Sequence, residues 1–196
     1  QDPEMAISEE QAQLASINVI TYAMKLAEQH KNNPKNDIIG ALLDGKGKEA
    51  GLSDEEFVWF FLMLIAAGNE STRTVTSHGM RLLMEHPDQL QYLVDHPERI
   101  PDACEEILRY NTAFILMRRT AMEDVELAGH RIGKGDKIIL HYHTVNHDER
   151  IFGDDAMDFD VRRAERMPDL YNQHRSFGIG QHFCLGTHLA RLELRV

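Results

Sequence analysis

Behind a capping-box pair, Ser53 and Glu56, the chain carries no proline until Pro87. The serine hydroxyl and the carboxylate three residues on satisfy the free N–H groups of a helix start, and a proline disfavours helical geometry in the residue before it. The spacing predicts one helix of about 33 residues up to His86, about 50 Å long at 1.5 Å per residue. A helix of that length crosses the body of an ordinary domain. Its first part, Phe57 to Ala67, is apolar nearly all round, so it is expected to be central and buried. A membrane span needs roughly 18 or more apolar residues, which this run does not supply.

Other elements follow from caps and breakers. Ser8 with Gln11 is a second capping-box pattern, and Leu14, Ile17, Ile20 and Met24 follow near helical spacing. That helix should fade near His30, before Lys31-Asn-Asn-Pro34. Asp37 is placed to cap a short helix through Leu43, and Asp44 to Gly51 reads as a loop. Shorter helices are expected near Asp88 to Val94 and Pro101 to Asn111. Strands are expected at Val125 to Leu127, His130 to Ile132 and Lys137 to Tyr142, with turns at Ala128-Gly129 and Lys134-Gly135. From His147 to Ser176 there is little periodicity, and long irregular stretches inside compact domains are often functional. Leu185 to Arg195 closes the chain as a helix. The fold class is therefore mainly α with a small β region. Gln1-Asp-Pro reads as mid-protein sequence and no helix stop follows Val196. Residues 1–196 are thus expected to form a single partial domain, incomplete at both ends.

Charge and cysteine usage narrow the class. Lys and Arg number 21 against 32 Asp and Glu, a net charge of −11. That excess argues against a general nucleic-acid binder and against a polybasic membrane anchor. Two cysteines in 196 residues do not make a disulfide scaffold. No basic start followed by an apolar stretch marks a signal peptide. An acidic, reduced, cytoplasmic protein is expected.

Phe177-Gly-Ile-Gly-Gln-His-Phe-Cys184-Leu-Gly186 is the segment richest in chemistry. Three glycines surround one cysteine, and glycine lets a backbone adopt positive φ and approach a bulky ligand. The cysteine sits at the entrance of the last helix, where N–H groups and the helix dipole favour a thiolate. A thiolate presented this way suits an axial ligand of an iron porphyrin. Three other readings of the decapeptide stand beside it. Cys184 could be a buried structural thiol, a zinc ligand together with His182, or a nucleophile with one of the 11 histidines as its base.

The decapeptide resembles the haem-binding signature of the cytochrome P-450 haem-thiolate monooxygenases, Phe-Gly-x-Gly-x-His-x-Cys-x-Gly. Further motifs occur in that family's order. Ala67-Gly68-Asn69-Glu70-Ser71-Thr72 resembles its oxygen-activation motif. Glu106-Ile-Leu-Arg109 resembles its Glu-x-x-Arg pair, and Phe159-Asp-Val-Arg-Arg163 the segment whose arginine joins that pair. Met117-Arg-Arg119-Thr-Ala121 resembles its propionate-binding strand. The resemblance implies the C-terminal part of the P-450 fold, with a long central helix over the haem and a cysteine loop beneath it.

The same resemblance implies roles. Cys184 is the expected iron ligand, with Phe177, Gly178 and Gly186 shaping its loop. Ala67 and Gly68 are expected to face the haem, and Arg119 and His182 to pair with its propionates. Glu70 and Ser71 are expected to deliver protons. Ser71 stands where the family usually has threonine, so the hydroxyl survives with a freer χ1. Glu106, Arg109 and Arg163 are expected to form a buried structural network. Phe114, Ile115 and Leu116 are candidates for a substrate pocket, and Cys104 is expected to pack.

The implied activity is hydroxylation of a small hydrophobic molecule with O2 and electrons from NAD(P)H through a redox partner, on haem b. Residues 67–73 and 117–121 look most like bacterial members acting on steroids, terpenoids or alkyl chains. A ferredoxin-type donor is expected to dock on a basic patch around Arg175 and Arg191, because no Asp or Glu lies between Tyr171 and Leu192. No nucleic acid and no membrane are expected as partners. The alternatives are a truncated haem-binding fragment without activity and a peroxide-using haem enzyme of the same fold.

Overall fold

The computed structural model describes residues 8–45 and 51–196. The chain divides into two compact units, residues 1–67 and 68–196. The expected loop at 44–51 has its turn at Asp44 and Gly45; residues 46–50 lie outside the described residues, as do Gln1, Asp2 and Pro3.

Three helices make the first unit. Helix α1 (Glu9–Asn32) opens on the expected reciprocal cap between Ser8 and Gln11. Helix α2 (Ile38–Leu43) is capped by Asp37, whose carboxylate accepts from the Gly40 N–H at 3.0 Å. Helix α3 (Asp54–Glu85) begins where Ser53 and Glu56 exchange hydrogen bonds, which holds the Glu56 carboxyl below its usual range. Ala23, Ala27, Phe57 and Val58 form the core of this unit. His30, expected to lie at the fading end of α1, is instead buried and meets the Asp44 carboxylate at 2.9 Å.

The expected burial of α3 is corrected. Phe57 and Val58 are buried, but Trp59 is 59% exposed and Met63 56%. Periodicity cannot reveal how many partners a helix has; here α1 and α2 cover one stripe, and Trp59, Met63 and Ile65 stay exposed. α3 also runs as regular α-helix through residues 67–72.

The second unit is organised by α5. Helix α4 (Pro87–Asp95) and α5 (Ile100–Tyr110) are joined by a short 3-10 turn at Pro97–Arg99. Every residue from Ala103 to Arg109 is buried, charged ones included. Val75, Leu82, Leu93, Ala103, Ile107, Leu108, Phe159 and Val161 form the apolar core around it.

Strand β1 (Leu116–Thr120), the hairpin β2 (Val125–Leu127) and β3 (His130–Ile132), and β4 (Lys137–His141) follow. They make two antiparallel pairs, β1 with β4 and β2 with β3, with Arg119 opposite Ile138. Ala128 and Gly129 turn the hairpin at φ 50° and 78°. Two successive positive φ values are what a tight two-residue hairpin turn requires. The last strand stops one residue early, because His141 caps the next helix, accepting from the Thr144 N–H at 3.2 Å.

Helices α6 (Tyr142–Asn146), α7 (Glu149–Phe152), α8 (Arg163–Arg166) and α9 (Leu170–Gln173) are one turn or little more. The irregular stretch 147–176 is thus short turns linked by loops. Helix α10 (Thr187–Leu194) starts two residues later than expected, with Gly186 at its cap and Leu185 still in the loop. Among the described residues no helix is long and apolar enough to cross a membrane.

Gly79 sets how closely α3 approaches α5. A β-carbon there would lie 2.8 Å from Ile107 Cγ2, and the branched Ile107 is held in the core. Gly79→Val is expected to destabilise the protein by about 1–3 kcal/mol through overpacking, read as a lower denaturation midpoint. An unchanged midpoint would show that the helices can separate freely.

Candidate functional site

Residues 105 and 106 of α5 are consecutive carboxylates, both buried. Successive residues on an α-helix point about 100° apart. The two acids therefore serve different parts of the unit: Glu106 gathers two buried arginines and Glu105 one.

Glu106 faces Arg109 and Arg163, and all three are fully buried. Arg109 grips the carboxylate with two parallel bonds, Nε to Oε2 at 2.7 Å and Nη2 to Oε1 at 2.8 Å. Its remaining donors reach the backbone carbonyls of Asn146, Ala156 and Asp158 at 2.7, 2.8 and 2.9 Å. Arg163 places Nε 3.1 Å from both carboxylate oxygens and spends its other donors on Phe152, Asp155 and Asp158. The Asp160 N–H also donates to Glu106, at 3.0 Å. The Glu-x-x-Arg pair and the arginine of the irregular stretch are thus brought together, and no donor of either guanidinium is left over.

Glu105 faces His174 and Arg191. Arg191 Nε donates to Oε1 at 2.7 Å and Nη2 to Oε2 at 2.9 Å. His174 Nε2 lies 3.0 Å from Oε2, while the Ser176 N–H donates to His174 Nδ1 at 3.3 Å. The Nδ1 atom is therefore an acceptor, and Nε2 carries the proton that Glu105 receives. Burial pushes the Glu105 carboxyl up, but the bonds from His174 and Arg191 outweigh it and leave it below its usual value. Arg191 also donates to the Thr187 hydroxyl and lies over the rings of Tyr171 and Phe177.

The expected basic docking patch is overturned by this geometry. Arg191 is 4% exposed and its charge is matched by Glu105. Arg175 turns Nη1 onto the carbonyls of Asn172, Gln173 and His174. A stretch without acids looked basic in sequence, yet Arg191 is matched by an acid 86 residues away and Arg175 is turned onto carbonyls of its own stretch. The Glu105 cluster was missed in the sequence for the same reason. Its one local signal was the Glu105-Glu106 doublet on a helix otherwise apolar at that level.

The loop from Phe177 to Gly186 lies between these anchors. The Cys184 N–H donates to the Phe177 carbonyl at 3.0 Å and closes it. Gly178 and Gly180 both take φ 76°. A β-carbon on Gly178 would lie 3.5 Å from Tyr142 Oη, and one on Gly186 3.9 Å from Cys184 Sγ. Cys184 is half-buried, whereas Ile179, Phe183, Leu185 and Leu189 are exposed apolar side chains on and just past the loop. Among the described residues no three metal-ligating side chains gather at one point. The donor set is therefore a single sulfur with bare, apolar surroundings. It fits a metal whose other ligands come from a flat macrocycle, and it does not supply the four protein ligands of a structural zinc.

The remaining expected residues are dispersed. Glu70 is exposed and Ser71 half-buried on α3, where Ala67 and Gly68 are also exposed. Arg119 and His182 are exposed, and among the described residues no carboxylate pairs with either. Arg119 donates only to its neighbour's carbonyl, at 3.1 Å. Arg118 is adjacent on β1 and so projects to the opposite face. Phe114, Ile115 and Leu116 are exposed. Cys104 packs as expected: it is buried, its thiol meets the Leu194 carbonyl, and burial together with nearby Glu105 pushes it up to about 11.

Comparison with known proteins decides the family. The family model described as Cytochrome P450 matches residues 100–196. The chain is 38% identical over 198 residues to the steroid C26-monooxygenase of Mycolicibacterium smegmatis, matching 100% of itself and 44% of that protein. It is 37% identical over 197 residues to a methyl-branched lipid omega-hydroxylase of Mycobacterium tuberculosis, again spanning 44% of the relative. A Bacillus megaterium P450, CYP109E1, solved with testosterone superposes with a TM-score of 0.84 at 34% identity over 95% of this chain and 50% of that one. The chain belongs to the cytochrome P450 family. It spans less than half the length of these curated relatives. The P450 family implies a haem cofactor, which agrees with the single-sulfur donor set of the Cys184 loop. Mainly helical architecture with small sheets is the C-terminal partial P450 fold.

Arg109→Ala removes the grip on Glu106 and strands the carbonyls of Asn146 and Ala156. It is expected to cost about 3–5 kcal/mol and to give protein that does not retain haem. A stable, haem-loaded variant in denaturant titration and absorption would refute this.

Proposed function

We propose that the protein containing this chain is a haem-thiolate monooxygenase. It hydroxylates a small hydrophobic molecule with O2 and with electrons from NAD(P)H delivered by a redox partner. The observation that carries this reading is Cys184 as a lone half-buried sulfur in a glycine loop anchored at both flanks. A steroid monooxygenase and a lipid hydroxylase among the relatives support a steroid, terpenoid or alkyl chain as substrate. Haem b, when bound, supplies activation of O2 and insertion of one oxygen atom into a C–H bond.

The chain's own residues bind, orient and move protons. Cys184 would bind the haem iron through its sulfur. Phe177, Gly178 and Gly186 keep the loop closed and thin, so that a flat cofactor could approach its backbone and sulfur closely. The exposed Arg119 and His182 bind the propionates, for which the guanidinium's forked donors are suited. Ala67 and Gly68 leave their stretch of α3 without bulk. The Glu70 carboxylate feeds protons to the Ser71 hydroxyl, which donates at Oγ or holds a water. That acid–hydroxyl pair favours O2 over peroxide as oxidant. Glu106, Arg109 and Arg163 hold the irregular stretch in place, and Phe114, Ile115 and Leu116 face the substrate. An acidic ferredoxin-type carrier is the proposed electron donor, though its docking does not depend on Arg175 or Arg191. The reading places the protein in the cytoplasm.

The reduced, carbon monoxide-treated protein is expected to show a strongly red-shifted Soret band that Cys184→Ser abolishes. Persistence of the band in the variant would remove Cys184 from the ligand role. Ser71→Ala is expected to lower the product formed per NAD(P)H consumed at least several-fold. Equal coupling in the two proteins would remove the hydroxyl from proton delivery.

A further inference from the structure

The reading above gives Glu105 no part, yet Glu105 holds both flanks of the cysteine loop. On the upstream side it receives His174, whose ring also accepts from the Ser176 N–H. On the downstream side it receives Arg191, which in turn bonds the Thr187 hydroxyl. Thr187 is three residues past Cys184, and His174 is three residues before Phe177. Arg191 additionally lies 4.6 Å from the Phe177 ring centroid, so one guanidinium touches the first residue of the loop and the first turn beyond it. Asn146 links this cluster to the other one. Its side chain binds the Ser176 hydroxyl and the Arg175 N–H, while its carbonyl receives Arg109.

We propose that Glu105 is a positioning residue for Cys184, setting where the sulfur stands although the carboxylate does not touch it. The inference rests on Cys184 being the haem ligand. Its physical basis is that the loop has few constraints of its own. The loop carries two glycines at positive φ, a half-buried cysteine, the closing bond from Cys184 and a tight turn in which the Phe183 N–H donates to the Gly180 carbonyl. Its end-to-end geometry is therefore set by what fixes residues 174 and 187. Both are fixed by one buried carboxylate. Removing the negative charge leaves the Arg191 guanidinium buried against an amide and releases His174 at the same moment. The sulfur then gains freedom to leave the position that the loop sets and is reached more readily from solvent.

The test uses the complete polypeptide in haem-loaded and haem-free forms, with Glu105→Gln, Thr187→Val and Cys184→Ser. Thr187→Val keeps volume in a buried site and deletes only the acceptor for Arg191. In Glu105→Gln, the reduced carbon monoxide complex is expected to lose its red-shifted Soret band to the unshifted form several-fold faster than wild type. Thr187→Val should fall between the two. In the haem-free protein, alkylation of Cys184 by iodoacetamide at fixed pH should speed up several-fold in both variants. Buried Cys104 provides the internal control. A merely structural role would lower the denaturation midpoint while leaving both readouts unchanged well below it. That result in folded Glu105→Gln overturns the proposal. If Glu105→Gln does not fold, wild-type behaviour of Thr187→Val on both readouts overturns it. A red-shifted band surviving in Cys184→Ser overturns the ligand reading instead, and so separates the two failures.

Discussion

A carboxylate with no water around it cannot stay charged unless its lone pairs are taken. Glu106 meets that condition with two arginines and a backbone N–H, and the shape of the second unit depends on how it does so. The ten guanidinium N–H groups of Arg109 and Arg163 are shared among the carboxylate, the Asp155 side chain and the carbonyls of five residues between Asn146 and Asp158. That stretch has only one-turn helices and a small apolar cluster around Phe152, Ala156 and Leu170. Buried carbonyls must find donors somewhere. Here arginine heads provide what a neighbouring strand or helix turn would provide in regular structure. A buried ion pair is a poor source of net stability, but here its remaining donors fix the backbone carbonyls of five residues in place.

Much of the local architecture was legible from caps and breakers. Ser8 and Gln11, Asp37, and Ser53 with Glu56 start helices where their side chains said they would, and Ala128-Gly129 turns its hairpin. These are short-range signals, in which a side chain bonds backbone three residues away. Burial was less legible, because it depends on what comes to lie opposite. The apolar start of α3 looked central from its composition, yet only one stripe is covered in its unit. Helix α5, which carries three charged residues in its buried run, is the element wrapped on all sides.

Within the site, chemistry at a point was readable and chemistry between points was not. The glycine spacing around Cys184 marks a loop that must approach something closely, and the structure shows a closed loop with two positive-φ glycines and a lone sulfur. Glu106 and Arg109 share a helix face, which spacing reveals. Glu105 looked like one more acid on a helix, and Arg191 like a surface cation. Their pairing spans 86 residues, and nothing in a window of sequence connects them. The same blindness made the segment 171–192 look like a basic docking surface.

That separation has a consequence for how the chain matures. Closing an 86-residue loop carries an entropic cost on the order of 4 kcal/mol, and the contact that repays it sits in the last helix. During synthesis α5 emerges early, with Glu106 able to hold Arg109 at once and Arg163 soon after. Glu105 can meet His174 first but must wait for Arg191, and until then its second oxygen is unmatched on a helix whose other side is already packed. The cysteine loop is consequently the last part of this unit to take its final shape. A polypeptide still on the ribosome carries its sulfur on an open, unanchored segment, and the site becomes rigid only once α10 has cleared the exit tunnel.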